Sequence, residues 1–496
     1  MGVAGQASPS DAGLRRTPSA PPSAARREPA RLPHPVEHSR DRAGTVPPLS
    51  LGACPSNRLR RPDRITGMAK TYRPYLPEQD FLLPPSLREW LPENHLAYFV
   101  SDLIDQLDLS AIMAVYEDEE RGYPPYHPVM LTKVLVYGYC VGVFSSRRIQ
   151  RRLLEDIPFR VLAAGNAPDF RTIADFRKTH LTALQGFFEQ VLHLAHELGA
   201  LRVGRVALDG TKVKANASKH KAMSYDRMGE KQRQLRAEVT TLLAQAEAAD
   251  AAEDAEYGAN RRGDELPAEL QRRESRLQRI REAKRVLEAR AQEAAAAAGQ
   301  PTDTAKPDPK AQYNFTDPES RIMKGPDGFV QAYNAQIAVD AQQLIIGQAV
   351  TQETNDKRQL MPMITTMEAQ SGVTPTQLLA DAGYCSDENL AAIATTPIDA
   401  YISTRKQKHG ERPGPCPRGP LPPTATRVDR MSRKLHRKAG AAIYAARKAI
   451  VEPVFGQIKQ ARGFRQFLLR GVEQVQGEWS LVCTTHNILK LYRLYG

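Results

Sequence analysis

The chain has 496 residues, of which 41% are hydrophobic and 25% charged, and its formal net charge is +13. This ordinary globular composition excludes a fully disordered or collagen-like chain, and the longest apolar runs are too short to predict a membrane span. The positive charge favours an anionic partner, most commonly nucleic acid. Only 6% of the residues are aromatic, which favours a protein that binds phosphates over one that stacks on single-stranded bases.

The cysteines exclude two kinds of motif, and the first segment is not expected to fold. The five cysteines are scattered without a Cys-x-x-Cys pair, which excludes a zinc ribbon or thioredoxin motif and favours free thiols in a reducing cytosol. Residues 1–67 are rich in Arg, Pro, Ser and Ala and contain no Lys, so we expect a disordered basic segment. It could be a basic arm on DNA or a transit peptide, but we favour a wrongly assigned start, with Met68 as the true one.

Residues 68–200 are predicted to form an all-helical domain. Apolar residues recur at helical spacing in "PENHLAYFVSDLIDQLDL" and in "PDFRTIADFRKTHLTALQGFFEQVLHLAHEL", and Pro128 opens a third, buried-looking helix. Two short helices carry basic clusters and could form a pair that contacts DNA, or simply a solvated basic face on a bundle. The clusters are Arg147, Arg148, Arg151 and Arg152 on the first helix, and Arg171, Arg177 and Lys178 on the second.

At residue 203 the pattern becomes strand-like, in "VGRVALDGTKVKA". Residues 224–300 then carry two thin apolar stripes at helical spacing, separated by a break around Gly263 and Pro267. The stripes consist of Leu235, Val239, Leu242 and Ala246, and of Leu270, Leu277, Ile280 and Leu287. They predict an antiparallel coiled hairpin inserted into a sheet domain.

The sheet domain is predicted to consist of residues 201–223 and 301–496. Strands are expected at 333–340, 344–351, 376–384 and 399–404, and late helices at about 431–460 and 474–493. With the strand that begins near residue 203, this order predicts an α/β domain with a mixed five-stranded sheet and flanking helices.

Three acidic residues are the candidates for chemistry. Asp209 and Asp381 each end a predicted strand, and Glu452 precedes Pro453 in a late helix. Taken singly, each is explained by a turn, a cap or a favourable charge at a helix N-terminus. If the first and fourth strands are parallel neighbours, however, their ends form one crevice. Three carboxylates there would suit two Mg²⁺ or Mn²⁺ ions, which can activate water for phosphodiester cleavage.

The sequence around Glu452 is basic. Tyr444, Lys448 and Glu452 are spaced at four residues, and Lys459 lies seven beyond Glu452. On one helix these would share a face, although Pro453 could kink it. Such a face could hold the phosphates of a DNA end, with further help from Arg462, Arg465 and Arg470. The alternative is a solvated basic face.

Three blocks resemble the DDE transposases of bacterial insertion sequences, and in particular the branch with a Tyr-Arg-Glu-Lys signature. They are "ALDGTKVKANAS", "LLADAGYCSDENL" and "YAARKAIVEPVFGQIKQARGFRQFLLRG". The segments "HPVMLTKVLVYGYCVGVFSSRRIQRRLLEDIPFRVL" and "FRTIADFRKTH" resemble that group's helical N-terminal domain. The resemblance covers about 68–493, and the last block is the most specific.

The resemblance implies a ribonuclease-H-like fold in which Asp209, Asp381 and Glu452 are the catalytic and metal-binding triad. Glu452 and Lys459 match the signature's Glu-x6-Lys, and Tyr444 and Arg447 match its Tyr-x2-Arg. One departure stands out, because four residues separate Arg447 from Glu452 where the signature has three. Either Arg447 takes a shifted geometry or Lys448 replaces it.

The activity that this resemblance implies is cut-and-paste DNA transposition. The protein would bind the terminal inverted repeats through its helical domain, cleave the strand at the element's end with two divalent ions, and join the freed 3′-OH to target DNA. A dimer or larger synaptic complex, at the nucleoid in the cytoplasm, would bring two ends together. The alternatives are a nuclease of the same fold that cannot join strands, and an inactive DNA-binding relic.

Overall fold

The computed structural model describes residues 86–117, 124–257, 268–325, 328–405 and 419–496. These residues belong to one compact unit, Phe81–Gly496. The predictions for residues 1–67 and for Met68 therefore lie outside the described residues.

The first part of this unit is helical, as predicted. After a short 3-10 helix at Leu87–Trp90 come α1 (Leu96–Asp105), α2 (Ser110–Glu117), α3 (Pro128–Cys140), α4 (Ser146–Glu155), α5 (Ile157–Leu162), α6 (Phe170–Thr179) and α7 (Leu181–Glu197). Pro128 begins α3, where a missing N–H costs nothing, and Asp169 caps α6. The single helix expected after Phe170 is two helices, which are divided at His180. The ring of His180 packs on Tyr116 and Phe176 at this break.

A mixed sheet follows, with six strands rather than the predicted five. They are β1 (Arg205–Lys214), β4 (Arg321–Gly325), β5 (Gly328–Asp340), β6 (Ile345–Thr351), β7 (Gln377–Ala380) and β8 (Asp399–Ile402). β5 is antiparallel to β1 on one side and to both β4 and β6 on the other, while β7 is parallel to β1 and to β8. The extra strand, β4, is a short polar stretch between turn residues, so it lacks the alternation that marks a strand.

Helices cover both faces of the sheet. α10 (Leu360–Ser371) and α11 (Asp387–Ile393) follow β6 and β7, and α12 (Arg427–His436), α13 (Lys438–Gly456) and α14 (Val472–Tyr495) complete the chain. The helix predicted at about 431–460 is divided at Arg437, and its last turn, Gln457–Ala461, is a π-helix. Gly347 of β6 lies directly against Met367, so α10 covers one face. α13 contacts β1, β5, β7 and β8, and it meets the side chain of Asp209 on the other face.

Two long helices occupy the segment predicted as an insertion. α8 (Tyr225–Tyr257) and α9 (Ala268–Ala297) lie between the short strands β2 (Ala222–Ser224) and β3 (Gln312–Asn314), which pair with each other. The helices are antiparallel, because Tyr225 bonds Glu288 while Glu238 pairs with Arg273 further along. They bury a small core of their own, consisting of Met228, Leu235, Leu277, Ile280, Ala283 and Leu287. The predicted break at Gly263 and Pro267 lies outside the described residues.

Candidate active site

The register of β1 and β7 places two predicted acids side by side. Leu208 of β1 is the partner of Ala380 of β7, and Asp209 and Asp381 directly follow these two residues in the sequence. β7 ends there, and Asp381 caps the following turn by accepting a hydrogen bond from the Gly383 N–H at 2.8 Å. The two predicted acids are therefore adjacent, at the edge where β7 ends. The prediction that Asp209 ends its strand was wrong, because β1 continues to Lys214 through its pairing with β5.

A guanidinium group lies against the first of these acids. Arg447 Nη1 of α13 is 3.1 Å from Asp209 Oδ2. Burial raises the pKa of Asp209 to about 6; the nearby charge of Asp381 adds to this effect, and Arg447 opposes it. Two carboxylates that repel each other in a poorly solvated pocket favour a cation between them, and Arg447 takes this role here.

Two further signature residues face the same pocket. Tyr444 lies one turn before Arg447 on α13; burial raises the pKa of its hydroxyl, and Arg447 and Ser403 counteract the rise. Lys459 donates from Nζ to Thr211 Oγ1 and, at 3.0 Å, to the carbonyl of Lys212. Burial, together with the charges of Arg465 and Lys212, lowers the pKa of Lys459 to about 8, and Asp209 works against this. Phenol, guanidinium and ammonium groups thus surround the two acids.

The third acid is not part of this cluster. Glu452 is exposed on α13, as is Lys448, which lies one turn before it. Each helical residue adds about 100° of rotation, so the spacing of five from Arg447 to Glu452 turns the side chains about 140° apart, whereas a spacing of four would give about 40°. The sequence leaves open whether Arg447 or Lys448 takes the arginine position of the signature. In the structure Arg447 lies at the acids, while Lys448 shares the exposed face of Glu452.

The donor set fits a divalent cation in part. Among the residues that the structure describes, no three His, Cys, Asp or Glu side chains lie close enough to hold a metal ion. Asp209 and Asp381 nevertheless form a hard-oxygen pair with a cationic group already beside it. Mg²⁺ often binds to one or two carboxylates and takes its other ligands from water and phosphate. The pair therefore suits such an ion, and the three-acid site additionally requires Glu452.

A third carboxylate that the sequence analysis missed lies beside this pair. Asp356 Oδ1 accepts hydrogen bonds of 2.7 Å from Asn334 and from Gln336, and Lys212 Nζ is 3.6 Å away. A Cβ atom placed on Gly383 would lie 2.9 Å from Asp381 Oδ1 and 3.1 Å from Asp356 Oδ2. A larger residue at position 383 would therefore displace these carboxylates. In the sequence, Gly383 is the residue that indicates a close approach here. Nothing in the sequence around Asp356 identifies it as part of the site.

The predicted DNA-contact residues on the last block differ in their placement. Arg465 is exposed and donates from Nε to the Lys459 carbonyl. Arg462 is only 8% exposed, and its guanidinium bonds Val482 O and Thr485 Oγ1. Contrary to the prediction, Arg462 is therefore a core residue that does not face a ligand at the surface. Its apolar surroundings in the fold could not be read from the basic segment around it.

The basic cluster on α4 is exposed, as a DNA-contacting face requires. Arg151 and Arg152 pair with Glu155 and Asp156 at 2.9 and 3.0 Å, and Arg147 lies over the ring of Phe170. Arg148 is also exposed. On the second helix of the predicted pair, however, Arg177 is buried, and it bonds Tyr139 and the carbonyl of Phe144. Arg177 therefore has a structural role.

No helix in the described part of the chain is long and apolar enough to cross a membrane.

Together, the fold and the site define a mixed α/β protein with a helical N-terminal region and an acidic pocket where β7 ends beside the middle of β1. Residues 85–179 match the family described as Transposase domain (DUF772), and residues 300–488 match the family described as Transposase DDE domain. The chain belongs to the DDE transposases, which are enzymes that act on DNA, and this confirms the resemblance seen in the sequence. Asp381 and Glu452 lie within the second match, while Asp209 precedes it.

Searches of the curated proteins and of the solved structures gave no match. The assignment to the branch with the Tyr-Arg-Glu-Lys signature stays a prediction.

Proposed function

We propose that this transposase cleaves DNA at the ends of its own element and transfers the freed 3′-OH to target DNA, on a ribonuclease-H-like catalytic domain. The observation that carries the proposal is that Asp209, in the middle of β1, and Asp381, directly after the end of the neighbouring parallel strand β7, lie side by side, with the side chain of Arg447 of α13 against Asp209. Two neighbouring acids lined by basic side chains suit a phosphodiester whose charge must be neutralised during displacement.

In this proposal Asp209, Asp381 and Glu452 hold two divalent ions, Mg²⁺ or Mn²⁺. Such ions, when bound, stabilise the entering and leaving oxygens of an in-line displacement at phosphorus. Asp209 and Asp381 already form one oxygen-rich pocket. Glu452 is exposed on α13, so completing the set requires a local rearrangement that brings its side chain to the pair while Arg447 and Tyr444 stay at the pocket. Arg447 then exchanges Asp209 for a phosphate oxygen.

The remaining side chains position the DNA. Lys459, Tyr444 and Arg447 hold phosphates next to the scissile bond, with Lys448 and Arg465 at the rim. In the first step water adds to the phosphorus, and the bond to the 3′ oxygen breaks, which leaves a 3′-OH. In the second step that hydroxyl attacks a target phosphodiester, and the target strand leaves with its own 3′-OH.

Binding to the terminal inverted repeats is assigned to the helical region, through Arg147, Arg148, Arg151 and Arg152 on α4. Phosphate contacts of this kind fix the register of a protein on a duplex. Because two ends must be joined to one target, we propose a homodimer or larger synaptic complex, acting at the nucleoid in the cytoplasm.

A strand-transfer assay tests this function. The purified protein, a labelled duplex that carries the inverted repeat flanking its gene, a target plasmid and Mg²⁺ or Mn²⁺ should give a cleaved strand and a joined product. Asp209→Asn, Asp381→Asn and Glu452→Gln should each lower both products by roughly two orders of magnitude or more. Glu473→Gln, which removes an exposed acid at the start of α14, is the matched control and should have little effect.

The two alternatives give different results in the same assay. Cleavage without a joined product, under conditions where a pre-cleaved end is also not joined, indicates a nuclease. Unchanged DNA transactions in Asp209→Asn indicate a relic that only binds.

A further inference from the structure

The helical insertion carries a groove to which neither the sequence resemblance nor the family matches give a role. The groove lies between α9 and the strand pair β2–β3, and its volume is about 1010 Å³. We call it the basic groove and define it by its cationic residues Lys221, Arg272, Arg276 and Arg279, together with His220, Tyr313 and Phe315.

The charge of the basic groove is strongly one-sided. Arg272, Arg276 and Arg279 are all exposed, as are His220 and Lys221. None of the three arginines forms an ion pair with any other residue that the structure describes. Glu282 is the one acid among the described lining residues. The groove therefore presents free guanidinium groups, in contrast to the paired Arg273 on the same helix.

The arginines form a row that can contact a nucleic-acid backbone. Positions 272, 276 and 279 fall on one side of α9, and at 1.5 Å per residue they span about 10 Å along its axis. Each DNA strand carries one phosphate per about 3.4 Å of the DNA helix axis, and the long arginine side chains can spread to reach up to about three of them. Planar guanidinium groups bind phosphate oxygens in pairs, which makes an arginine row a good backbone contact.

The wall opposite the arginines is held in place. Tyr313 and Phe315 pack edge to face, with ring centroids 5.3 Å apart, and both lie against the small core between α8 and α9. Tyr225, which opens α8, bonds Glu288 of α9 at 2.7 Å. The groove is thus a preformed feature on two packed helices, which lowers the entropy cost of binding.

The chain that leaves the acidic pocket leads to this groove. β1 carries Asp209, ends at Lys214 and is followed by Lys219 and Lys221 before β2. Lys214 and Lys219 are exposed, and Arg470, which is also exposed, donates from Nε to the carbonyl of Asn216 at 3.0 Å. Positive side chains therefore mark the whole connection from the acids to the insertion.

We propose that the basic groove binds the sugar-phosphate backbone of double-stranded DNA at a distance from the scissile bond, so that the insertion is a second DNA-binding element. The proposal rests on the proposed function only in its choice of DNA as the polyanion. It assigns to Arg272, Arg276 and Arg279 a positioning contact that is independent of sequence.

The test measures DNA binding by the full chain without divalent ions. Fluorescence anisotropy with a fluorescein-labelled duplex of random sequence gives the affinity at several salt concentrations. The triple variant R272Q/R276Q/R279Q should bind at least about tenfold more weakly at low salt, and the slope of log affinity against log salt should fall by about 3, close to one unit per lost phosphate contact.

A matched control removes the same amount of charge from the two helices of the insertion. R233Q/R281Q/R285Q replaces three exposed arginines outside the basic groove and should leave the slope within about one unit of the wild type. Both variants change solvent-exposed residues, and circular dichroism checks their helix content. If the triple variant loses helix content, the single charge reversal R276E replaces it, with R281E as its control.

Equal losses of affinity and slope in the two triple variants would overturn the proposal, because the effect would then follow from net charge alone. Together with the strand-transfer assay, this binding measurement separates the two proposals. A wild type that binds through the groove but forms no joined product defeats the strand-transfer function and leaves the groove standing, while the reverse result defeats only the groove.

Discussion

Lys459 combines a structural role with an unfavourable charge. Its ammonium group bonds Thr211 and the Lys212 carbonyl, so it fixes the π-helical turn after α13 to the strand that carries Asp209. The same burial lowers its pKa to about 8. The protein thus holds a poorly solvated cation next to the acids, where a phosphate would stabilise it. Strain of this kind is expected at a site that is completed by its ligand.

This shift predicts a pH-dependent stability. An unfolded lysine titrates near 10.4, so between about pH 8 and 10.4 the unfolded chain binds more protons at this residue than the folded one. The free energy of unfolding therefore rises with pH across this range, as the cost of the buried charge disappears. Lys459→Met removes that dependence. We expect the stability of the wild type relative to Lys459→Met, measured by urea unfolding, to increase from about pH 7 to about pH 10. A constant difference would contradict the low pKa.

Single residues also show how far sequence can predict this site. The proximity of Asp209 and Asp381 was predictable, because each directly follows an apolar run and neighbouring parallel strands bring such positions together. The continuation of β1 from Asp209 to Lys214 was not, since it depends on pairing with β5. Arg447 contacts Asp209 because of its position on α13. Glu452 is exposed because one more residue separates it from Arg447 than the signature has. Asp356 could not be predicted, since it is held by Asn334 and Gln336 of a distant strand.

Among the elements, α13 contains a proline, and a tertiary contact replaces the helical hydrogen bond that this proline cannot make. Pro453 lies inside the helix and has no N–H to donate to the carbonyl of Ala449. Gln343, in the turn between β5 and β6, donates from Nε2 to that carbonyl at 3.0 Å. Gln343 has a φ of 67°, which is unusual for a residue other than glycine. The turn therefore has a strained backbone at Gln343, and the side chain of this residue donates to the carbonyl that Pro453 leaves without a helical N–H.

This arrangement predicts coupling between two distant positions. Gln343→Ala removes this donor from the Ala449 carbonyl, which is exposed to water, and should lower the free energy of unfolding by up to about 1 kcal/mol through this bond. Pro453→Ala restores the helical N–H, so the same substitution should cost less in that background. A double-mutant cycle by urea unfolding should give a coupling of about 1 kcal/mol. Costs that add to within about 0.3 kcal/mol would contradict the proposed repair.

The elements of the sheet were mostly predictable and those of the connections were not. Strands β5 to β8 alternate or form short apolar runs between turn residues, which are local signals. The predicted helix at about 431–460 is broken at Arg437, because Gly440 lies against the backbone of Lys434 and brings α12 and α13 close together. Such a close approach depends on two helices at once, so one helical pattern does not reveal it.

At the scale of the whole molecule, the helical region and the sheet share one hydrophobic core. α14 packs on α3 and α7 as well as on β6, and Trp479 and Phe188 belong to the same buried cluster. A buried polar network crosses the boundary predicted near residue 200. Tyr139 of α3 donates to Glu478 of α14 at 3.1 Å, and Arg177 of α6 donates to Tyr139 at 3.1 Å. Burial raises the pKa of Glu478, and Arg177 opposes the rise.

Removing one partner of this network should therefore destabilise the molecule as a unit. Arg177→Met leaves Glu478 buried without its nearby positive charge and should cost about 3–5 kcal/mol, whereas Arg171→Met, at an exposed site on the same helix, should change stability by less than about 0.5 kcal/mol. Replacing both groups in Arg177→Met/Glu478→Gln should recover most of the loss, since no unpaired charge remains and the amide oxygen still accepts from the N–H groups of Leu468 and Leu469. Urea unfolding followed by tryptophan fluorescence and by circular dichroism should show one coincident transition in each protein. Two separate transitions, or a double variant no more stable than Arg177→Met, would show that the helices and the sheet do not depend on this network.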